Sequence, residues 1–280
     1  MSIVVFLLIV LSAVMHATWN LVAKKNAGNY SIIYLSFCIG FVLCLPIAIP
    51  HLSAVKNWGT ILPLIIATGV LHALYGFLIS ITYKNGDIST LYPIVRGTGI
   101  GGAVLIGIFA LGERLPLTAA LGVGAVVSGI GILSYRRNRK ETSPIGIFLA
   151  LACGVIIMVY TILDKVLVEQ ISPFVLLTFS QLISMLTFLP YVIIKRRKEF
   201  VLTLKTLKLS VLGIALPALL GYLIILFVFQ IADVSRVVAV RELSVVFGAL
   251  SGYLFLKESF SKTRLIGVLV ILTGILLIKL

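Results

Sequence analysis

Apolar runs of about 17–24 residues, the length a helix needs to cross about 30 Å of hydrocarbon, recur along the whole chain. Short stretches between them hold nearly all of the charge. The pattern predicts ten spans, over 3–22, 31–50, 60–83, 88–111, 117–135, 144–163, 173–194, 207–230, 234–256 and 263–279. The first run, MSIVVFLLIVLSAVMHA, lacks the positively charged n-region of a signal peptide and is read as the first span.

Composition agrees. Of 280 residues, 60% are hydrophobic and 11% charged, against roughly 45–50% and ~25% in a soluble domain. An all-α integral membrane protein is expected. The net charge of +14 would suggest nucleic acid in a soluble chain. Here the charge sits in loops between spans, where it sets topology. Cys38, Cys44 and Cys153 lie inside apolar runs without metal spacing, and are read as packing residues.

The two halves resemble each other. Shifted by 145 residues, RGTGIGGAVLIGIFALGERLPLTAALGVGAVVSGIG lies on RELSVVFGALSGYLFLKESFSKTRLIGVLVILTGIL. Arg96 then falls on Arg241, Glu113 on Glu258, Gly122 on Gly267 and Gly129 on Gly274. A shift of 146 puts Asp87 on Asp233, and a shift of 141 puts Trp19 on Tyr160 and Lys24 on Lys165. A unit of five spans inserts its second copy upside down. The expected organisation is therefore two inverted five-helix repeats, 1–135 and 144–280, joined by a basic linker at 136–143. Such repeats build many transporters, with a site between them near the bilayer midplane. Sixteen Lys and Arg fall in loops on one side and five on the other. The richer side is expected to be cytoplasmic, with both termini outside.

Each half has a Glu near the end of its fourth span and a glycine-spaced fifth span: FALGERL with GVGAVVSGIGIL, and LFLKESF with GVLVILTGILL. With HATWNLVAKK in the first span, these features resemble the EamA family of the drug/metabolite transporter superfamily. The resemblance implies a central cavity lined by spans 1, 3, 4, 6, 8 and 9, with spans 5 and 10 at the periphery. It leaves the substrate open among amino acids, nucleotide-like and sugar metabolites, amines and drugs.

Arg96 lies roughly 12 Å inside its span at 1.5 Å per residue. An arginine at that depth costs about 2.5–3.5 kcal/mol on insertion scales, and it is too deep for its head to reach water easily. Arg241 holds the matching place in span 9, beside Glu242. The two-fold relation is expected to put the arginines on opposite walls of one cavity, where a planar fork suits carboxylate or phosphate. The alternative is a structural network. Adjacent helical residues diverge by about 100° at 3.6 residues per turn, so Glu242 is expected to pair with Arg96 and not with Arg241. The three charges sum to +1, leaving one cation for an anion. Alanine at either arginine is expected to weaken transport and spare expression.

His16 and Asn20 share a face of span 1 with Trp19 beside them, His72 and Tyr75 share a face of span 3, and Tyr92 lies one turn before Arg96. All are candidate substrate contacts. Gln181 is expected to bond between helices, away from the ligand. Gly97 and Gly101 form a small-xxx-small pattern for close helix approach. Glu113 and Glu258 are read as interfacial charges at helix ends, and Lys24 and Lys165 as anchors. KRRKEF is read as a cytoplasmic topology signal that touches anionic lipid.

The expected function is secondary transport of a small metabolite bearing an anionic group. The rivals are an amino-acid or amine exporter, a flippase for lipid-linked sugars, and a non-transporting scaffold. An enzyme is not expected, since no HExxH and no paired-aspartate motif occurs. Expected partners are the small-molecule substrate, membrane lipid, and protons or an exchanged counter-substrate. A homodimer is left open. No cofactor, metal or nucleic acid is expected. Of the coupling candidates, Glu242 comes first and the histidines second.

Overall fold

The computed structural model describes residues 1–134, 143–257 and 261–279. Most of the linker and Glu258 lie outside the described residues. The described chain is helical throughout: α1 Ile3–Lys25, α2 Tyr30–Ala48, α3 Trp58–Thr82, α4 Ile88–Phe109, α5 Leu117–Ser134, α6 Pro144–Val168, α7 Pro173–Lys195, α8 Arg197–Thr206, α9 Lys208–Phe229, α10 Val234–Arg241, α11 Leu243–Leu256 and α12 Lys262–Lys279. Among the described residues, eight helices are long and apolar enough to cross a membrane, with α10 and α11 counted as one span. Apolar α5 is shorter, and α12 carries Lys262, Arg264 and Lys279 within 18 residues.

Local chemistry sets the helix ends. Ser2 accepts from the Val5 N–H and Ser143 from the Gly146 N–H, satisfying donors that an α-helix leaves unpaired. Pro144 and Pro173 stand at helix starts, where no backbone donor is lost. The outer faces are apolar: Leu209 is 86% exposed and Phe109 83%. Such residues face lipid, which offers them what a soluble core would.

Two helices depart from the expected spans. The ninth breaks at Glu242, whose N–H bonds to the Ala239 carbonyl at 3.2 Å while its own carbonyl accepts from Val245 at 2.9 Å. Both bonds join residues three apart, a one-turn slip toward 3₁₀ geometry between α10 and α11. The second departure is α8, where a loop was expected. Its Glu199 pairs with Arg196 at 3.1 Å and accepts from the Ser31 N–H and hydroxyl at 3.1 and 2.8 Å. The basic stretch thus carries a carboxylate that caps the start of α2.

Packing runs between the halves of the chain. α4 lies on α6, α1 on α9, α3 on α6 and α7, and α10–α11 between α1 and α4. The tightest seam joins α5 to α12, antiparallel, with Gly122 against Gly274 and Gly129 against Gly267. A Cβ on Gly122 would come within 2.6 Å of the Gly274 carbonyl oxygen, and one on Gly129 within 2.9 Å of the Gly267 oxygen. The Gly97–Gly101 pattern is only half used. A Cβ on Gly97 would meet Ile130, while Gly101 faces open space.

Gly122→Ala is therefore expected to destabilise the seam by about 1–3 kcal/mol through overpacking. Gly124→Ala, with nothing within 4 Å, is expected to be neutral or slightly stabilising through helix propensity. Melting temperatures of the two purified variants check the contrast.

Candidate functional site

Two arginines and a glutamate meet where α4 passes the α10–α11 break. Arg96 is 2% exposed and Glu242 is fully buried. The Nε and Nη2 of Arg96 donate to the same Glu242 carboxylate oxygen at 3.0 and 2.5 Å. This is the cross-pair that the helix geometry predicted. It also overturns one expectation, because Arg96 is not among the residues that line the central cavity. It lies behind the wall, with its charge cancelled.

The cavity itself has about 100 Å³ for the centres of water-sized molecules. Its polar lining comes from His16 and Trp19 of α1, Ser36 of α2, His72 and Tyr75 of α3, Tyr160 of α6, Ser180, Gln181 and Ser184 of α7, Tyr222 of α9 and Arg241 of α10. α2 and α7 also contribute to the wall and α4 does not, which departs from the expected set of spans. The face of α4 that bears Arg96 and Tyr92 is taken up by helix packing. Tyr92 is 1% exposed and stacks behind His16 at 6.2 Å between ring centroids. Asn20 is equally buried. Its amide donates to the His16 carbonyl at 2.8 Å, and its oxygen accepts from the Tyr83 hydroxyl at 2.5 Å. Arg96, Glu242, Asn20 and Tyr92 thus form a layer behind the cavity. Gln181, expected to bond between helices, instead lines the wall, and its Oε1 has no partner among the described residues.

Arg241 is held differently from Arg96. Its Nη2 lies 3.2 Å from Nδ1 of His16, and the Trp19 indole N–H donates to the same nitrogen at 3.2 Å. Guanidinium and indole can only donate, so Nδ1 accepts and the proton of neutral His16 is on Nε2. The Arg241 guanidinium also lies 5.4 Å over the Tyr222 ring, within cation–π range. Its buried Nε has no partner among the described residues.

The sequence reading passed over one residue. Asp164 of α6 is completely buried. Its Oδ1 accepts from Thr68 at 2.6 Å, and its Oδ2 accepts from the Tyr222 hydroxyl and lies 3.0 Å from Nε2 of His72. His72 stacks on Tyr160 at 4.1 Å and meets Tyr222 edge-on at 5.1 Å. Asp164 changes the charge count. With Glu242 against Arg96, the charges at and behind the wall are two arginines and two carboxylates, which sum to zero with neutral histidines. The expected excess of +1 is corrected accordingly.

Residues read as helix-end charges have defined partners too. Glu113 accepts from the Val234 and Ser235 N–H groups at 2.6 and 3.0 Å, and from the Ser235 hydroxyl. It caps α10 from the α4–α5 connection. Lys24 donates to the carbonyls of Tyr83 and Gly86 just after α3, at 2.8 and 2.6 Å. Lys165 donates to those of Phe229 and Ala232 after α9, at 2.6 and 3.5 Å. Both lysines tie down the end of a neighbouring helix and complement its negative pole.

Residues 144–280 match the EamA-like transporter family. The second half of the chain is thus EamA-like, and that family is one of multi-pass membrane transporters and not of enzymes. A stretch of 105 residues is 28% identical to multidrug transporter PA4990 of Pseudomonas aeruginosa, covering 38% of this chain and 90% of that protein. A solved crystal structure of a protein superposes with a TM-score of 0.74 at 17% identity, over 99% of this chain and 96% of its own. At that identity the likeness shows the fold alone.

Glu242→Gln leaves the buried Arg96 charge uncompensated. It is expected to cost about 3–5 kcal/mol, the usual loss when one partner of a buried pair is removed. Arg96→Ala is expected to cost a similar amount, which corrects the expectation that it spares expression. Thermal melts in detergent read both. A Glu242→Gln melt at the wild-type temperature would mean that the pair does not hold the packing.

Proposed function

We propose that this EamA-like transporter moves a small metabolite bearing an anionic group by alternating access between two inverted five-helix repeats, 1–135 and 144–280. The observation that carries the substrate class is the state of Arg241. It is a guanidinium on the cavity wall with an unpartnered Nε, whereas the equivalent Arg96 is neutralised by Glu242. A buried donor without a partner costs free energy, and a carboxylate or phosphate supplies one. Arg241 is the anion contact. His16 and Trp19 orient it, and Tyr75 offers an aromatic face to the rest of the molecule.

The repeat is supported by the α5–α12 seam. The alignment equates Gly122 with Gly267 and Gly129 with Gly274. The contacts join Gly122 to Gly274 and Gly129 to Gly267, the crossed pairs that a two-fold axis requires. The equated Lys24 and Lys165 make equivalent ties to the ends of α3 and α9. With the basic loops cytoplasmic, both termini lie outside. No P-loop sequence GxxxxGK[ST] occurs in the chain, so a gradient of ion or exchanged solute drives transport.

Asp164 and the aromatic wall favour a second substrate class, an amine or amphipathic cation. The similarity to a protein named as a multidrug transporter points the same way. The first class is preferred because Asp164 is already occupied by three donors, while Arg241 has a donor to spare.

Thermal stabilisation of the purified protein by a charge-sorted panel tests the choice. Sulfate, phosphate and small carboxylates are compared with alkylammonium ions, on wild type and Arg241→Gln. A ligand at about 100 times its Kd stabilises by about 2.7 kcal/mol. Anions are expected to raise the wild-type melting temperature and leave Arg241→Gln unmoved. Stabilisation by amines alone would reject the anion reading.

A further inference from the structure

The cluster of Thr68, His72, Asp164 and Tyr222 is a second polar centre on the cavity, separated from Arg241 by the Tyr222 ring. Thr68 and His72 straddle the middle of α3, on one face four residues apart. Asp164 reaches them from α6 and Tyr222 from α9. Such a buried carboxylate is costly in a membrane and marks a functional site by default.

The donor set narrows what the site can hold. Thr68 and Tyr222 donate to the carboxylate. With Asp164 ionised, Nε2 of His72 donates as well. A sodium ion needs several oxygen lone pairs turned toward it, and here hydrogens take three of the roughly four that the carboxylate offers. A proton has a place to go. The bond to Asp164 fixes the neutral imidazole as its Nε2–H tautomer, so Nδ1 is the basic nitrogen. His72 lines the cavity with its side chain 17% exposed, while Asp164 is 1% exposed.

We propose that His72, positioned by Asp164, is the coupling-proton site of this transporter. The proton adds to Nδ1 and gives an imidazolium whose charge faces the Asp164 carboxylate. The groups facing His72 are Asp164 and Tyr160 from α6 and Tyr222 from α9, with Arg241 of α10 beyond the Tyr222 ring. Of the wall residues of α2 and α7, none is charged. Resting on the anion reading above, the proposal has a thermodynamic consequence. A neutral charge set gains +1 on proton uptake, so proton and anion favour each other's binding, and by the same factor. The two then cross in the same direction.

Two measurements on the full chain test this. The first uses NMR of ¹³Cε1-labelled histidine. Only His16, His51 and His72 report, and the His72 signal is the one missing in His72→Gln, which keeps an N–H for Asp164. The signal is expected to show protonation on acidification in wild type, and to show less of it in Asp164→Asn. A wild-type His72 that is still neutral at pH 5 overturns the proton site, whatever binds. The second is calorimetric binding of sulfate and acetate, whose charges barely change from pH 6 to pH 8. At least about fivefold tighter binding at pH 6 is expected in wild type, the low end of allosteric coupling, with no pH dependence in His72→Gln. Binding of equal strength at both pH values overturns the coupling. Absence of anion binding at either pH overturns the anion reading and the coupling with it, and the NMR signal still decides the proton site.

Discussion

A guanidinium sealed at the depth of Arg96 is tolerable only if an opposite charge reaches it, and the break between α10 and α11 exists where that charge is delivered. Glu242 sits at the break, fully buried, and takes two hydrogen bonds from Arg96 through one oxygen. The pair ties α4 to the α10–α11 span across the middle of the molecule. Its geometry also decides what the neighbouring arginine can do. Arg241 precedes Glu242 in sequence yet points elsewhere, to His16 and over Tyr222. One carboxylate thus serves one of two arginines, and the other is left at the cavity with donor capacity in hand.

The asymmetry is written in the duplication. The position equivalent to Glu242 in the first half is Gly97, which makes room for Ile130 in place of a charge. The duplicated elements are those that pack: the glycines of α5 and α12, and the lysines that tie down the ends of α3 and α9. The histidines and the carboxylate of the cavity are not duplicated. His16 and His72 come from the first half and Asp164 and Tyr222 from the second.

Eight of the ten expected spans were legible because about 20 apolar residues have few other uses, and the Arg96–Glu242 pair because helical geometry rules out the alternative partner. Asp164 was not legible. It stands beside Lys165, where the sixth span was expected to have ended, so it was passed over. The helix in fact continues to Val168 and carries the carboxylate inside. Glu113 was read as a helix-end charge, but the helix it caps was not legible. Its partners, Val234 and Ser235, are more than 100 positions away, and no local pattern announces a cap supplied from that distance. That Arg96 lies behind the cavity wall was not legible, because only the packing of α4 against its neighbours places it there.

Replacing the pair by a neutral one measures this division of labour most directly. In Arg96→Met/Glu242→Met the buried charges leave together, a change that is often neutral or stabilising in other proteins. Arg241, His16 and Trp19 are untouched. The measurement is the anion-induced rise in melting temperature of this double variant, compared with wild type. The account predicts a folded protein that responds to anions as wild type does. A double variant that folds but no longer responds would make Arg96 or Glu242 part of the anion site and contradict the assignment to Arg241.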